Sequence, residues 1–126
     1  MPDAILIAED DSLLMPLLLA TFRTSGLRVL TASTGTQALE RARAEMPTLV
    51  LLDVGLPEMN GYEVCRLIKT DKRTASIQVV MLTARVGPSD QQQAAEAGAD
   101  AYMTKPFSPA ELLAAVQSLM RLDRAT

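Results

Sequence analysis

The hydrophobic pattern of this chain alternates five times between the period of a strand and the period of a helix. Short apolar runs lie near residues 4–8, 27–32, 48–52, 77–82 and 100–104. Helical patterns follow them, near residues 12–25, 35–46, 60–70, 88–97 and 108–122. Continuous apolar runs bounded by turn residues are typical of strands buried on both faces. The alternation therefore predicts a doubly wound α/β fold, in which right-handed crossovers build a five-stranded parallel sheet covered by helices.

Two of the predicted helices depart from an ordinary amphipathic pattern. Pro16 lies about one turn into the first helix and removes a backbone hydrogen bond there, so we expect a tolerated bend near the helix start. The fourth helix, from Pro88 to Ala97, carries almost no bulky apolar side chain. We expect it to pack loosely on the sheet, and loosely packed elements are where conformational change is usually found.

Length, charge and composition narrow the class of protein. The 126 residues predict one domain, residues 1–126, and the net charge of −3 without a basic cluster argues against direct nucleic-acid binding. The single cysteine, Cys65, permits no intramolecular disulfide and favours a reducing compartment. With no room for a signal peptide and no membrane-length apolar stretch, we expect a cytoplasmic location. The chain has no histidine, so a phosphohistidine would have to come from another protein.

Polar side chains follow four of the predicted strands where each strand ends. They are three carboxylates in Glu9-Asp10-Asp11, the carboxylate of Asp53, the hydroxyl of Thr83 before Ala84, and the ammonium of Lys105 before Pro106. Because the carboxyl ends of parallel strands meet at the edge where open α/β sheets bind ligands, we expect these side chains to converge. Two carboxylates at neighbouring strand ends suit Mg²⁺, which binds one or two carboxylates and keeps several waters.

These residue types predict phosphoryl transfer to an aspartate. With a cation bound, Asp53 can stay ionised and attack a phosphorus atom as an oxygen nucleophile. The ammonium of Lys105, the hydroxyl of Thr83 and the amide of Ala84 can then stabilise the charge on the phosphoryl oxygens. The small side chain of Ala84 also leaves room for that group. Each residue taken alone has an ordinary structural role, so the prediction depends on their joint placement.

The sequence DVGLPEMNG at residues 53–61, with Glu9-Asp10 before it and Thr83-Ala84 and Lys105-Pro106-Phe107 after it, resembles a receiver domain of two-component response regulators. The resemblance covers essentially the whole chain. It implies a flavodoxin-like, chemotaxis-regulator-like fold with five helices and strand order 2-1-3-4-5. It also implies a signalling phosphoacceptor rather than an enzyme. The domain would catalyse only its own phosphorylation, by the phosphohistidine of a histidine kinase or phosphotransfer protein, and its own dephosphorylation.

The resemblance further implies the ligands of the metal and the catalytic residues. Asp10, Asp53 and the backbone carbonyl of Gly55 would bind Mg²⁺, for which Mn²⁺ can substitute, while Glu9 would act through water. Asp11 falls one position beyond the acidic pair and is interpreted as a helix cap. The catalytic residues would be the phosphoacceptor Asp53 with Lys105, Thr83 and Ala84.

Further residues would control the response to phosphorylation. Thr83 and Tyr102 would form the switch, with the hydroxyl moving toward the phosphoryl group and the ring rotating inward. This would change the face made by the fourth helix, fifth strand and fifth helix, which would dock an unknown output protein or domain. Gly55 and Arg85 would face the phosphoryl group and tune its lifetime. The Lys105-Pro106 peptide is a candidate for a cis bond.

Three other functions fit the sequence less well. A phosphatase with an aspartate nucleophile would need a second acid at the position of Gly55 and a substrate cap. A flavodoxin-like electron carrier is suggested by residues 32–37, but that segment fails at both ends and follows the second strand. A degenerate receiver, acting as a phosphorylation-independent binding module, conflicts with the complete set of site residues.

The face made by the fourth helix, fifth strand and fifth helix is mostly neutral. This argues against the charged pairing typical of receivers attached to winged-helix DNA-binding domains. It fits a diffusible single domain or one cut from a larger protein.

Overall fold

The computed structural model describes residues 3–84, 87–105 and 107–125. Five strands and five helices alternate along them, which confirms the predicted α/β architecture. The elements are β1 (Ala4–Ala8), α1 (Leu14–Phe22), β2 (Arg28–Ala32), α2 (Gly35–Glu45), β3 (Leu49–Asp53), α3 (Gly61–Thr70), β4 (Gln78–Thr83), α4 (Pro88–Glu96), β5 (Ala101–Thr104) and α5 (Pro109–Ala125). All pairings are parallel, and the order β2-β1-β3-β4-β5 is the one that the resemblance implied.

The two faces of the sheet carry separate apolar cores because successive strand residues point in opposite directions. In β1, Ile5 and Ile7 face α1 and α5, whereas Leu6 faces α2, α3 and α4. The central strands β1 and β3 are buried throughout. This burial leaves the strand ends as the places where the central strands can present polar groups.

Helix α1 begins two residues later and ends earlier than its sequence pattern predicts. Asp11 caps it as predicted: one carboxylate oxygen accepts the amides of Leu13 and Leu14 at 2.8 and 3.3 Å. Pro16 is the third residue of the helix, where a missing N–H is tolerated because the first four have no intrahelical partner. The helix stops at Phe22, whose carbonyl accepts the Ser25 hydroxyl at 2.7 Å.

Helix α4 packs on the sheet through few buried side chains, as predicted. Within Pro88–Glu96 only Ala94 is buried, and Ala97 at its C-terminal cap adds a second small buried side chain. No helix among the described residues is long and apolar enough to cross a membrane.

Candidate functional site

The ends of four strands bring the predicted polar residues to one edge of the sheet. Register pairs Ala8 with Leu52 and Thr83 with Thr104, so β1, β3, β4 and β5 end at nearly the same level. The amide of Lys105 donates to the carbonyl of Thr83 at 2.7 Å, which extends the ladder past the end of β5. The residues following the strands therefore share one crevice.

Lys105 is the centre of this site. Its ammonium donates to Asp53 Oδ1 and to Glu9 Oε1, both at 3.0 Å. Those carboxylates are buried, with side-chain exposures of 11% for Asp53 and 1% for Glu9. A lysine bonded to two buried carboxylates is held in position, although its own side chain is partly exposed.

Burial and the hydrogen bonds between them shift the pKa values of Glu9 and Lys105. Burial raises the pKa of Glu9, the hydrogen bond from Lys105 opposes that rise, and the charge of Asp53 adds to it. Burial acts to lower the pKa of Lys105, but the bonds to Glu9 and Asp53 outweigh it and raise that pKa. Lys105 is therefore cationic at neutral pH.

Three carboxylates converge beside the ammonium. One oxygen each from Glu9, Asp10 and Asp53 lie within 4.8 Å of one another, close enough to share a metal ion. Asp10 is exposed on the open side of the cluster. Hard oxygen donors with an open side fit a divalent cation that retains waters. The predicted proximity of Asp10 and Asp53 is thus confirmed.

Glu9 makes contacts that sequence reasoning missed. Besides the ion pair with Lys105, its second carboxylate oxygen accepts the amides of Asp10 and Asp11 at 3.1 and 3.2 Å. These bonds orient the turn that carries Asp10. The Glu9–Lys105 pair joins residues 96 positions apart, and no local pattern signals such a contact.

Close backbone contacts fix the loop between β3 and α3. A Cβ on Gly61 would lie 2.4 Å from the carbonyl oxygen of Asp53, and one on Gly35 would lie 1.8 Å from that of Met59. Glu58, between them, has a positive φ of 72°. The packing role of these glycines was not predicted from the sequence, although each directly follows a helix-capping side chain, that of Asn60 or Thr34.

An apolar groove borders the site. It has a volume of about 510 Å³ and lies between α1 and the segment after β5. Leu13 is 87% exposed on its rim and Leu17 is 45% exposed. Its lining is Asp11, Leu13, Leu14, Leu17, Ala84, Lys105 and Phe107. The groove was not predicted from the sequence.

Comparison with known proteins decides the family. Residues 5–117 match the family described as "Response regulator receiver domain". The chain belongs to this family. It is 42% identical over 117 residues to the alkaline phosphatase synthesis transcriptional regulatory protein PhoP of Bacillus subtilis, a match that covers 93% of the chain and 48% of PhoP. The receiver domain thus spans about half the length of that relative.

Solved structures agree with the assignment. A receiver domain protein of Methanospirillum hungatei superposes with a TM-score of 0.92 at 26% identity, covering 99% of this chain and 98% of the other. The receiver domain of a sensor histidine kinase of Pseudomonas aeruginosa superposes with a TM-score of 0.85 at 30% identity, covering 94% and 97%. The latter structure is described with a magnesium ion coordinated in its active-site cleft.

The remaining predicted residues of this receiver domain take distinct positions. Thr83 is buried at the end of β4, and Ala84 is exposed beside the site. Gly55 is exposed, and a Cβ there would lie 3.6 Å from Asp53 Oδ2, an ordinary contact. Tyr102 is partly buried; burial and the charge of Asp90 raise its pKa. Arg85 and Pro106, and with them the lifetime role of Arg85 and the cis bond, lie outside the described residues.

Proposed function

We propose that this receiver domain accepts a phosphoryl group on Asp53. The observation that supports it best is the position of Lys105, whose ammonium lies 3.0 Å from both Asp53 and Glu9. A buried carboxylate held by a cation and open on one side is positioned to attack an incoming phosphorus atom. The family assignment supports the same conclusion.

We propose Mg²⁺ as the metal, held by Asp10, Asp53 and the backbone carbonyl of Gly55, with Glu9 acting through water. The carboxylate cluster and the magnesium reported in the Pseudomonas relative support this choice. When bound, the ion would offset the repulsion among the carboxylates and polarise the oxygens of the phosphoryl group.

The residues of the chain would then carry the transfer. An oxygen of Asp53 forms a bond to phosphorus, and the bond between phosphorus and the donor's imidazole nitrogen breaks. The negative charge of the product stays on the phosphoryl oxygens. The ammonium of Lys105, which already carries a positive charge, would donate a hydrogen bond to them. The hydroxyl of Thr83 and the amide of Ala84 supply further hydrogen bonds. Because this chain has no histidine, the phosphohistidine belongs to a partner kinase or phosphotransfer protein.

The domain would act as a switch and not as an enzyme on an external substrate. Phosphorylation adds nearly two negative charges at Asp53, which draw Thr83 inward and favour an inward Tyr102. The face formed by α4, β5 and α5 would report the change to an output protein or domain. PhoP is a transcriptional regulatory protein, but the receiver domain matches only about half of it. We therefore assign DNA binding to no part of this domain.

The lifetime of the phosphoryl group is proposed to depend on Gly55. A side chain there would stand beside Asp53 Oδ2, where it could hinder an attacking water. Gly55→Asn should slow dephosphorylation, measured by loss of label from the isolated phosphorylated domain. Gly26→Asn is the matched control, since no other atom lies within 4 Å of the Cβ position there, and asparagine tolerates the left-handed φ of 84°. Equal decay rates for Gly55→Asn and the natural chain would contradict this role.

Phosphorylation by a small donor tests the function itself. Incubation with acetyl phosphate and Mg²⁺, followed by intact mass spectrometry, should add one phosphoryl group. The group should be absent in Asp53→Asn and after chelation of the metal. Addition of the group to Asp53→Asn at the natural rate would refute the proposal, and so would failure of the natural chain to gain mass.

A further inference from the structure

Helix α4 is held to α3 at both ends by one stripe of α3 side chains. Tyr62, Cys65 and Lys69 are spaced three and four residues apart, so they lie on the same face of α3. Tyr62 reaches the first turn of α4, whereas Cys65 and Lys69 reach the region after its last turn. The two attachments differ in their contacts: Tyr62 contacts Asp90 within α4, whereas Cys65 and Lys69 contact Ala97 and Asp100 beyond its last residue.

The C-terminal attachment is firm. The Cys65 thiol, fully buried, donates to the carbonyl of Ala97 at 3.4 Å. Lys69 donates to Asp100 Oδ2 at 3.0 Å and to the carbonyl of Ile77 at 2.9 Å. Asp100 Oδ2 also accepts the amide of Val79 at 2.8 Å. The thiol contact ties the end of α4 to α3, and the bonds of Asp100 tie the segment that follows α4 to α3 and β4.

At the N-terminal end, the Tyr62 hydroxyl contacts the first turn of α4. The Tyr62 hydroxyl lies 3.3 Å from the carbonyl oxygen of Asp90 and 3.5 Å from its Oδ1. These are long hydrogen bonds on a partly exposed surface, and Ala94 is the only buried residue within α4. Burial, and to a lesser degree the charge of Asp90, raise the pKa of Tyr102, the other tyrosine of the chain.

The first turn of α4 is also the part of the helix nearest in sequence to the site. Thr83 and Ala84 precede it by only a few residues, and the amides of Asp90 and Gln91 donate to the carbonyl of Gly87 at 3.1 and 3.2 Å in that turn. The opposite end of α4 is held through Cys65. A contact that holds the first turn can therefore bias the position of this end of the helix alone.

We propose that the contact of Tyr62 with Asp90 is a latch that keeps the first turn of α4 seated on α3 and is released when the site is phosphorylated. The release step rests on the proposed function, whereas the resting latch does not. Removing one exposed hydrogen bond shifts such an equilibrium about two- to tenfold toward the released form.

Residue-resolved amide hydrogen exchange by NMR on the 126-residue chain tests the resting latch. Tyr62→Phe removes the hydroxyl but keeps the ring against the core. It should speed exchange of the Gln91 amide about two- to tenfold and leave the Ala97 amide unchanged. Thr70→Val is the control, since it removes a hydroxyl from the same helix that bonds within α3. Equal exchange at Gln91 in Tyr62→Phe and the natural chain would overturn the latch.

Beryllofluoride with Mg²⁺, as a stand-in for the phosphoryl group, tests the release. Exchange at Gln91 should rise in the natural chain, rise less in Tyr62→Phe, and stay constant in Asp53→Asn. Unchanged exchange in a natural chain that has bound the ligand, as seen by shifts of the Asp53 and Lys105 signals, would refute the release. If no such shifts occur, the domain does not bind the phosphoryl analogue, which contradicts both the proposed function and the release. The latch itself is still tested by the comparison of Gln91 exchange between Tyr62→Phe and the natural chain without beryllofluoride.

Discussion

Removing the charge of Lys105 should cost more stability than removing any ordinary surface lysine. Lys105→Met leaves Glu9 and Asp53 facing each other without their shared cation, and both are buried. Deleting one partner of a buried pair costs about 3–5 kcal/mol. Because the Lys105 side chain is 23% exposed and water can partly replace it, we expect about 2–3 kcal/mol at pH 7.

The pH dependence of this cost follows from Glu9. Burial raises the pKa of Glu9 in the folded chain, and Lys105 opposes that rise. Without Lys105 the folded-state pKa rises further above the unfolded value. The stability linked to Glu9 is then fully present below its ordinary pKa and is lost as the pH rises through the folded pKa. The deficit of Lys105→Met should therefore shrink from pH 7 toward about pH 5.

Urea denaturation at the two pH values measures both effects. Lys72→Met is the control, since Lys72 is exposed outside the site and should change stability by less than about 0.5 kcal/mol. In an Asp53→Asn background, about 1–2 kcal/mol of the Lys105→Met cost should disappear because one buried charge is already gone. An equal cost in both backgrounds, or a deficit that grows toward pH 5, would refute this account of the charges.

Three further predictions concern glycine packing, backbone strain and the buried thiol. Gly61→Ala should destabilise the fold by about 1–3 kcal/mol in urea denaturation, because its Cβ would lie 2.4 Å from the carbonyl oxygen of Asp53. Gly55→Ala, where the Cβ makes only an ordinary contact, should cost less than about 0.5 kcal/mol. Similar losses for the two variants would contradict the packing argument. Glu58→Gly should stabilise the fold by about 0.5–1 kcal/mol, because glycine adopts the positive φ at this position without strain. Met46→Gly, at a position whose φ is 48°, should have a similar effect. Lower urea midpoints for both variants would contradict the presence of backbone strain. Burial raises the pKa of Cys65 to about 12, so its thiol should react with a disulfide reagent only in urea; rapid reaction of the folded chain would show that it is accessible.

The sheet and the converging strand ends could be predicted because they depend on local patterns. Apolar runs fix the strands, and parallel connections force their carboxyl ends to one edge. Asp10, Asp53 and Lys105 were therefore placed together from sequence alone. The strand order came from the family resemblance, since apolar runs do not specify which strands are neighbours.

The contacts that were missed depend on tertiary geometry. The ion pair of Glu9 with Lys105 and the contact of Tyr62 with Asp90 join separate elements, and each residue alone resembles an ordinary surface group. The exposure of Leu13 was not predicted either, because hydrophobic periodicity does not reveal which side of a short helical segment faces solvent. The helix ends were wrong at α1 because Ser25 bonds back to Phe22 and closes the helix early.

Locating the phosphoryl group on the chain tests the central claim most directly. The domain is treated with acetyl phosphate and Mg²⁺, the acyl phosphate is reduced with borohydride, and the peptides are sequenced by mass spectrometry. The reduced residue should be Asp53 alone, and its yield should fall strongly in Lys105→Met. Modification at Asp10 or elsewhere with Asp53 intact would contradict the account.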